Sequence, residues 1–388
     1  MMKLFKQADV YSPEPMGIRD VLVAGGRIIE VAEDLSHFEH QGVELIDASN
    51  QVLVPGFVDS LVHITGGGGE GGFATRTREM HVNEAAAAGV TTVIGVLGTD
   101  AITRSLENLL AKTYALEEQG ISVFSYTGSY HVPAVTVTDS VTKDIMLIDK
   151  FIGIGELAIA DHRGSQLSVQ ELARLASEAR VGGMLANKSG VVSIHVGDEP
   201  DGLNLLHEVV EQTDIPITQF YPTHINRSSQ LMEQGIAFAK AGGYIDFTTS
   251  TNEQILASGE LKAAEALAKA LRVGISASQL TMSSDGNASL PLFDESGKLV
   301  DLQVGRVSSL HQALVEAVQD FNVPLSDALA SITCSPAGIL QLSRKGQIKT
   351  TFDADINLLN KDTLAIEQVF AKGECLYMEG TLHTKGYF

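Results

Sequence analysis

Between residues 57 and 285 the chain repeats one pattern eight times: a short, nearly continuous apolar run followed by a longer stretch with helical spacing. The runs fall at 57–63, 91–98, 122–130, 152–160, 191–196, 217–224, 244–250 and 280–285, and helical spacing is clearest at 106–119, 169–186 and 263–273. Strands that are apolar on both faces have to be covered on both faces, which is the condition of a parallel sheet wrapped by helices. Eight such units predict a closed (β/α)8 barrel rather than an open sheet, because each run ends in polar or chemically active residues. In a barrel of this kind the site lies at the C-terminal strand ends.

The two ends of the chain are written differently. Residues 21–31 near the start, and 354–359 with 368–377 near the end, read as β-branched strand, turn, strand, with Gly25-Gly26 or Lys372-Gly373 at the reversals. We expect residues 1–56 and 345–388 to build one small β-sandwich domain, with residues 57–344 forming the barrel.

Composition narrows the function. Twenty-seven basic against 48 acidic residues give a net charge of -21, which disfavours nucleic acid and anionic membranes as partners. The first residues contain no long apolar run and no small-residue cleavage site, so no secretory signal is expected. No stretch reaches the ~18 apolar residues of a membrane span. Cys334 and Cys375 have no metal-like spacing and read as reduced thiols, which points to the cytoplasm.

The residues at the strand ends carry the chemistry. They are His63 on the first run, Tyr130 on the third, Glu156 on the fourth, His195 on the fifth, His224 on the sixth and Asp285 on the eighth. A lone histidine in an apolar strand is more often a hydrogen-bonded core residue. Six reactive side chains at the same ends of separate strands are explained by a shared site. Two histidines and a carboxylate suit a first-row metal with room for water, as in a hydrolytic zinc centre.

Several loop motifs accompany these residues: Gly-Gly-Gly-Gly-Glu at 66–70, Thr-Gly-Ser-Tyr-His-Val-Pro at 127–133, Asp-His-Arg at 161–163, Pro-Thr-His-Ile-Asn-Arg at 222–227 and Ser-Ser-Asp-Gly-Asn at 283–287. Together with Pro-Gly-Phe-Val-Asp at 55–59, they resemble the isoaspartyl dipeptidases of the amidohydrolase superfamily over nearly the whole chain. The superfamily usually continues that first strand as Asp-x-His-x-His, whose two histidines grip one metal. Here the first of those positions is Leu61, and only His63 remains.

The resemblance implies a ligand set. In isoaspartyl dipeptidases a carboxylated lysine on the fourth strand bridges two zinc ions, and that position is Glu156 here. A glutamate reaches one metal comfortably but is too short to bridge two without backbone movement. A fourth-strand glutamate with two histidines is similar instead to the single-metal site of the N-acetylglucosamine-6-phosphate deacetylases. We therefore expect one zinc ion on Glu156, His195 and His224, with His63 and Asp285 as further candidate ligands and a second ion not excluded.

For the substrate, the resemblance implies a small acidic dipeptide joined through a β-aspartyl bond. Arg163 and Arg227 match cations for its carboxylates, Glu70 a partner for its ammonium, Ser289 a further contact and Tyr130 a donor to the scissile carbonyl oxygen. Asp285 is expected to take a proton from the attacking water and pass it to the leaving amine. The resemblance also implies a homo-oligomer, an octamer being one candidate size. Alternatives are an amidohydrolase acting on N-acyl amino acids or cyclic amides, and a catalytically impaired homologue that binds dipeptides.

Overall fold

The computed structural model describes residues 2–293 and 299–385. Eight strands line the barrel: β1 Phe57–Val62, β2 Val90–Gly95, β3 Ser122–Thr127, β4 Phe151–Ile159, β5 Val191–Val196, β6 Phe220–Thr223, β7 Ile245–Thr248 and β8 Leu280–Ser283. Strands β1 to β6 pair in chain order as a parallel sheet, and β7 pairs in parallel with β8. A parallel bridge between Val62 and Gly286, with the His63 N–H donating to the Gly286 carbonyl at 2.9 Å, returns β8 to β1. Side chains span the seam between β6 and β7: the Thr223 hydroxyl donates to Asp246 at 2.7 Å, and Asn226 accepts from the Thr248 N–H at 2.8 Å.

The fold of the sequence reading is therefore present, but its strands are shorter than the apolar runs suggested. The run at 217–224 opens with a 3-10 turn, Ile217–Gln219, and only Phe220–Thr223 is extended. His63, Tyr130, His224 and Asp285 fall just beyond strand ends rather than within them. Apolar character marks burial, and the chain stays buried past the point at which its ladder stops. Two of these residues turn sharply, with left-handed backbone at His224 (φ 65°) and Asp285 (φ 50°). Such conformations cost roughly 1–3 kcal/mol each and persist where the surroundings impose them.

Two apolar layers hold the barrel. The outer one packs strand residues such as Phe57, Val93 and Phe151 against helix residues such as Leu109, Leu172 and Leu267. Helix Val169–Ala186 shows how the sequence builds this layer: Ser168 caps its start in a reciprocal box with Glu171, and Asn187 ends it in left-handed backbone. Leu172, Leu175, Ala176, Ala179 and Gly183 form its buried face. The inner layer contains Val58, Leu61, Ile94, Tyr126, Ile152 and Tyr221. Leu61 is therefore a packed core side chain, 2% exposed.

Strands from both chain ends join one nine-stranded hydrogen-bonded network. Its branch point is strand Met2–Tyr11, which pairs in parallel with Val43–Asp47 through its first half and with Gln51–Pro55 through its second. Strand Ile356–Asn360 then pairs antiparallel with Gln51–Pro55, which joins the C-terminal strands to the N-terminal ones next to β1 of the barrel. Phe5 and Phe370, ring centroids 5.0 Å apart and edge to face, fill the core of this smaller unit. Among the described residues no helix is long and apolar enough to cross a membrane.

Candidate active site

At the C-terminal ends of the strands lies a cavity of about 860 Å³. Every residue singled out from the sequence lines it except Glu156, which is 1% exposed and sits among three histidines. Its carboxylate oxygens are 3.3 Å from His63 Nε2, 3.5 Å from His195 Nδ1 and 3.8 Å from His224 Nε2. Neither oxygen has a hydrogen-bond partner among the described residues. Burial opposes ionisation of Glu156, but the three histidines outweigh it and hold the carboxyl well below its usual range.

The centre has two unlike sides. Towards β5 and β6, ligand atoms of Glu156, His195 and His224 all lie within 4.8 Å of one another, and all three residues are buried. Towards β1 and β8, His63 Nε2 stands between two carboxylates, 3.3 Å from Glu156 and 3.2 Å from Asp285. Burial alone would lower the His63 pKa, yet Asp285 and Glu156 raise it to about 10, which favours the protonated ring. The opposite holds for His224, which burial, Arg227 and His195 push down to about 4. His224 is thus a neutral imidazole with a lone pair to give, whereas the two carboxylates beside His63 favour its charged form.

His195 is held by both ring nitrogens. The Tyr130 hydroxyl lies 2.6 Å from Nδ1, and Asp161 Oδ2 lies 3.0 Å from Nε2. A carboxylate on Nε2 fixes the proton there, which leaves the Nδ1 lone pair to accept the Tyr130 hydroxyl, with Glu156 3.5 Å away. Asp161 was part of a motif in the sequence but was not assigned to the site, because an Asp two residues before an Arg reads equally well as a local ion pair. It is that pair as well, accepting from Arg163 at 2.9 and 2.6 Å. With His195 and Arg163 as partners, its carboxyl is held far below the usual range despite burial.

Charged groups surround this centre. Arg163 stacks 5.6 Å from the Tyr130 ring, and Arg227 Nη1 lies 3.4 Å from His195 Nε2 and 3.8 Å from Asp198. Glu70 accepts from Thr99 at 2.8 Å and from Ser289 at 3.2 Å, with Arg163 Nη1 at 3.5 Å. The loop that carries Glu70 needs its glycines: Gly68 has φ 74°, and a Cβ there would stand 2.6 Å from the Thr75 carbonyl. Arg104, which sequence reasoning missed, clamps this loop by donating to the carbonyls of Thr65, Gly67 and Thr77 at 2.5 to 3.0 Å. No motif marks it, since its partners are backbone atoms 27 to 39 residues away.

Two buried, unpartnered carboxylate oxygens facing a neutral imidazole and an oriented imidazole are a poor arrangement for protein alone. They fit a divalent cation. The amidohydrolase family profile matches residues 52–376. The chain belongs to the amidohydrolase family. It is a hydrolase of that superfamily, and within it the likeness runs to the β-aspartyl dipeptidases. The β-aspartyl dipeptidase of Fervidobacterium islandicum AW-1, solved with β-Asp-Leu, is 44% identical with a TM-score of 0.93, each chain being covered over 100% of its length. A second structure of that enzyme is 41% identical, with TM-score 0.91 and the same full coverage. The dihydroorotase of Streptococcus pneumoniae serotype 4 is 32% identical over 126 residues, a match spanning 31% of this chain and 28% of that protein.

Proposed function

We propose that this protein hydrolyses β-aspartyl dipeptides with a single zinc ion held by Glu156, His195 and His224. The observation that carries this reading is one buried carboxylate between histidines, ringed by separate cationic and anionic groups, in a chain alike over its full length to a dipeptidase solved with β-Asp-Leu. A zinc ion in this position supplies a Lewis acid and makes water more acidic. The remaining work falls to the chain.

Asp285 lies at the cavity wall with its carboxyl held below the usual range: burial opposes this, and His63 prevails. It therefore enters the reaction as a carboxylate, able to take the proton of the attacking water and return it to the leaving amine. His63 keeps Asp285 and Glu156 in place and neutralises part of their charge. The Tyr130 phenol stays protonated, since burial and the Glu156 charge raise its pKa well above the ordinary value, and it donates to the carbonyl oxygen as negative charge develops there. Arg163 and Arg227 receive the dipeptide carboxylates, Glu70 the ammonium, and Ser289 completes the contact beside Glu70.

The test is steady-state hydrolysis of β-Asp-Leu by the zinc-loaded protein, with α-Asp-Leu as the control. Turnover of the β-linked peptide alone is expected; equal turnover of both, or of neither, contradicts the reading. The partial match to a dihydroorotase favours cyclic-amide hydrolysis as a second reading, so dihydroorotate belongs in the same assay. A cytoplasmic homo-oligomer remains part of the proposal, the location resting on two free cysteines.

A further inference from the structure

Glu260 is a carboxylate in the same cavity that the mechanism above does not use. It follows the short helix Glu253–Ala257 after β7, and the cavity wall beside it includes Arg227, Asp198, Ile255 and Ser258. Its Oε1 is buried and has no hydrogen-bond partner among the described residues. The nearby cations face other carboxylates: Arg227 faces Asp198, and Arg163 faces Asp161 and Glu70. Glu70, the other glutamate of this wall, accepts from Thr99 and Ser289. Glu260 has Thr251 as a neutral neighbour but no cation paired with it, and one of its oxygens is left without a partner.

We propose that Glu260 forms a subsite for a cationic side chain on the leaving amino acid, so that β-aspartyl-lysine and β-aspartyl-arginine are preferred over dipeptides with apolar leaving residues. This rests on the β-aspartyl dipeptidase reading. The carboxylate and the side chain of the leaving residue branch from one carbon. When Arg227 holds the carboxylate, a long side chain reaches along the neighbouring loop, where Ile255 packs its methylenes and Glu260 meets its charge. Burial raises the Glu260 pKa to about 7, with Thr251 and Arg227 opposing, so an incoming ammonium or guanidinium supplies the partner that the ionised form lacks. Asp198, also on this wall, adds negative potential on the same side.

The experiment compares kcat/KM for β-Asp-Lys and β-Asp-Leu in the metal-loaded wild type, in Glu260→Gln and in Glu260→Lys. A hydrogen-bonded charge pair of the usual strength gives a wild-type preference for β-Asp-Lys of about tenfold. Glu260→Gln should bring the ratio close to one, and Glu260→Lys should invert it in favour of β-Asp-Leu. A wild-type ratio at or below one overturns the proposal without any variant, and so does a preference that survives in folded, metal-loaded Glu260→Gln. If the wild type hydrolyses β-Asp-Leu, a failed preference counts against the subsite alone. If it hydrolyses no β-aspartyl dipeptide, the parent reading falls and the subsite with it.

Discussion

The two sides of the centre solve the same electrostatic problem with different means. On the β5 and β6 side, the negative charge of Glu156 faces a neutral His224 and a His195 whose free nitrogen is fixed by Asp161, a set that invites a cation from solution. On the β1 and β8 side, Glu156 and Asp285 stand 3.3 and 3.2 Å from His63 Nε2 and favour the protonated form of its ring. Leu61, where the family pattern has a second histidine, is packed with Val58, Ile94 and Tyr126. Replacing one ligand by a core side chain removes half of a chelate, and the remaining histidine can then serve as a protein charge. We therefore propose one metal for this chain, with the protonated ring of His63 as a positive charge beside it.

The largest expected effect is on the metal side. Glu156→Gln removes the charge that three histidines surround, so bound metal should fall to background and kcat/KM by ~10³-fold or more. Elemental analysis together with β-Asp-Leu turnover checks both. His63→Ala should act differently, leaving metal at one per chain while kcat drops by roughly 10- to 100-fold, as Asp285 loses the partner that holds it in place. Loss of metal in His63→Ala would erase the distinction between the two sides.

Restoring the missing histidine sharpens the comparison. Leu61→His should not recruit a second ion, because Glu156 is too short to bridge, and it places an imidazole among apolar core residues at a cost of ~2–4 kcal/mol. The expected result is a lower melting temperature with unchanged metal content, read by thermal denaturation and elemental analysis.

The smallest effect concerns the acids beneath the site. Burial raises Asp59 from 3.8 to about 7, with the Ser284 contacts opposing and the Asp246 charge adding to it. The folded chain thus keeps a proton that the unfolded chain has released between about pH 4 and pH 7. This stabilising contribution is fully present below about pH 4 and is lost as pH rises through 7. Asp59→Asn, which can still accept the Ser284 N–H, should therefore gain melting temperature relative to wild type between pH 5 and pH 8, by ~2–4 °C. A difference that stays flat across that range would mean that Asp59 does not hold the proton.

Much of this was legible in the residues. Eight apolar runs with polar ends suffice to propose a barrel, since each run needs cover on both faces and a site is expected where the runs end. Exact strand ends were not legible, because His63, Tyr130, His224 and Asp285 remain buried after the backbone ladder has stopped, and hydrophobic patterning records burial rather than pairing. Arg104 left no trace, because it holds backbone carbonyls that carry no side-chain signature. Asp161 lay in plain sight, but its contact with His195 spans 34 residues and two strands. Glu260 was invisible for a related reason: what distinguishes it is the partner it lacks.

We propose that one side of the site holds a metal and the other a protein cation. The most direct test is to titrate metal-free protein with zinc while following β-Asp-Leu hydrolysis and bound zinc in the same samples. The account predicts that activity rises linearly and stops at one zinc per chain. A break at two zinc ions per chain would contradict it and place a second ion where His63 now stands.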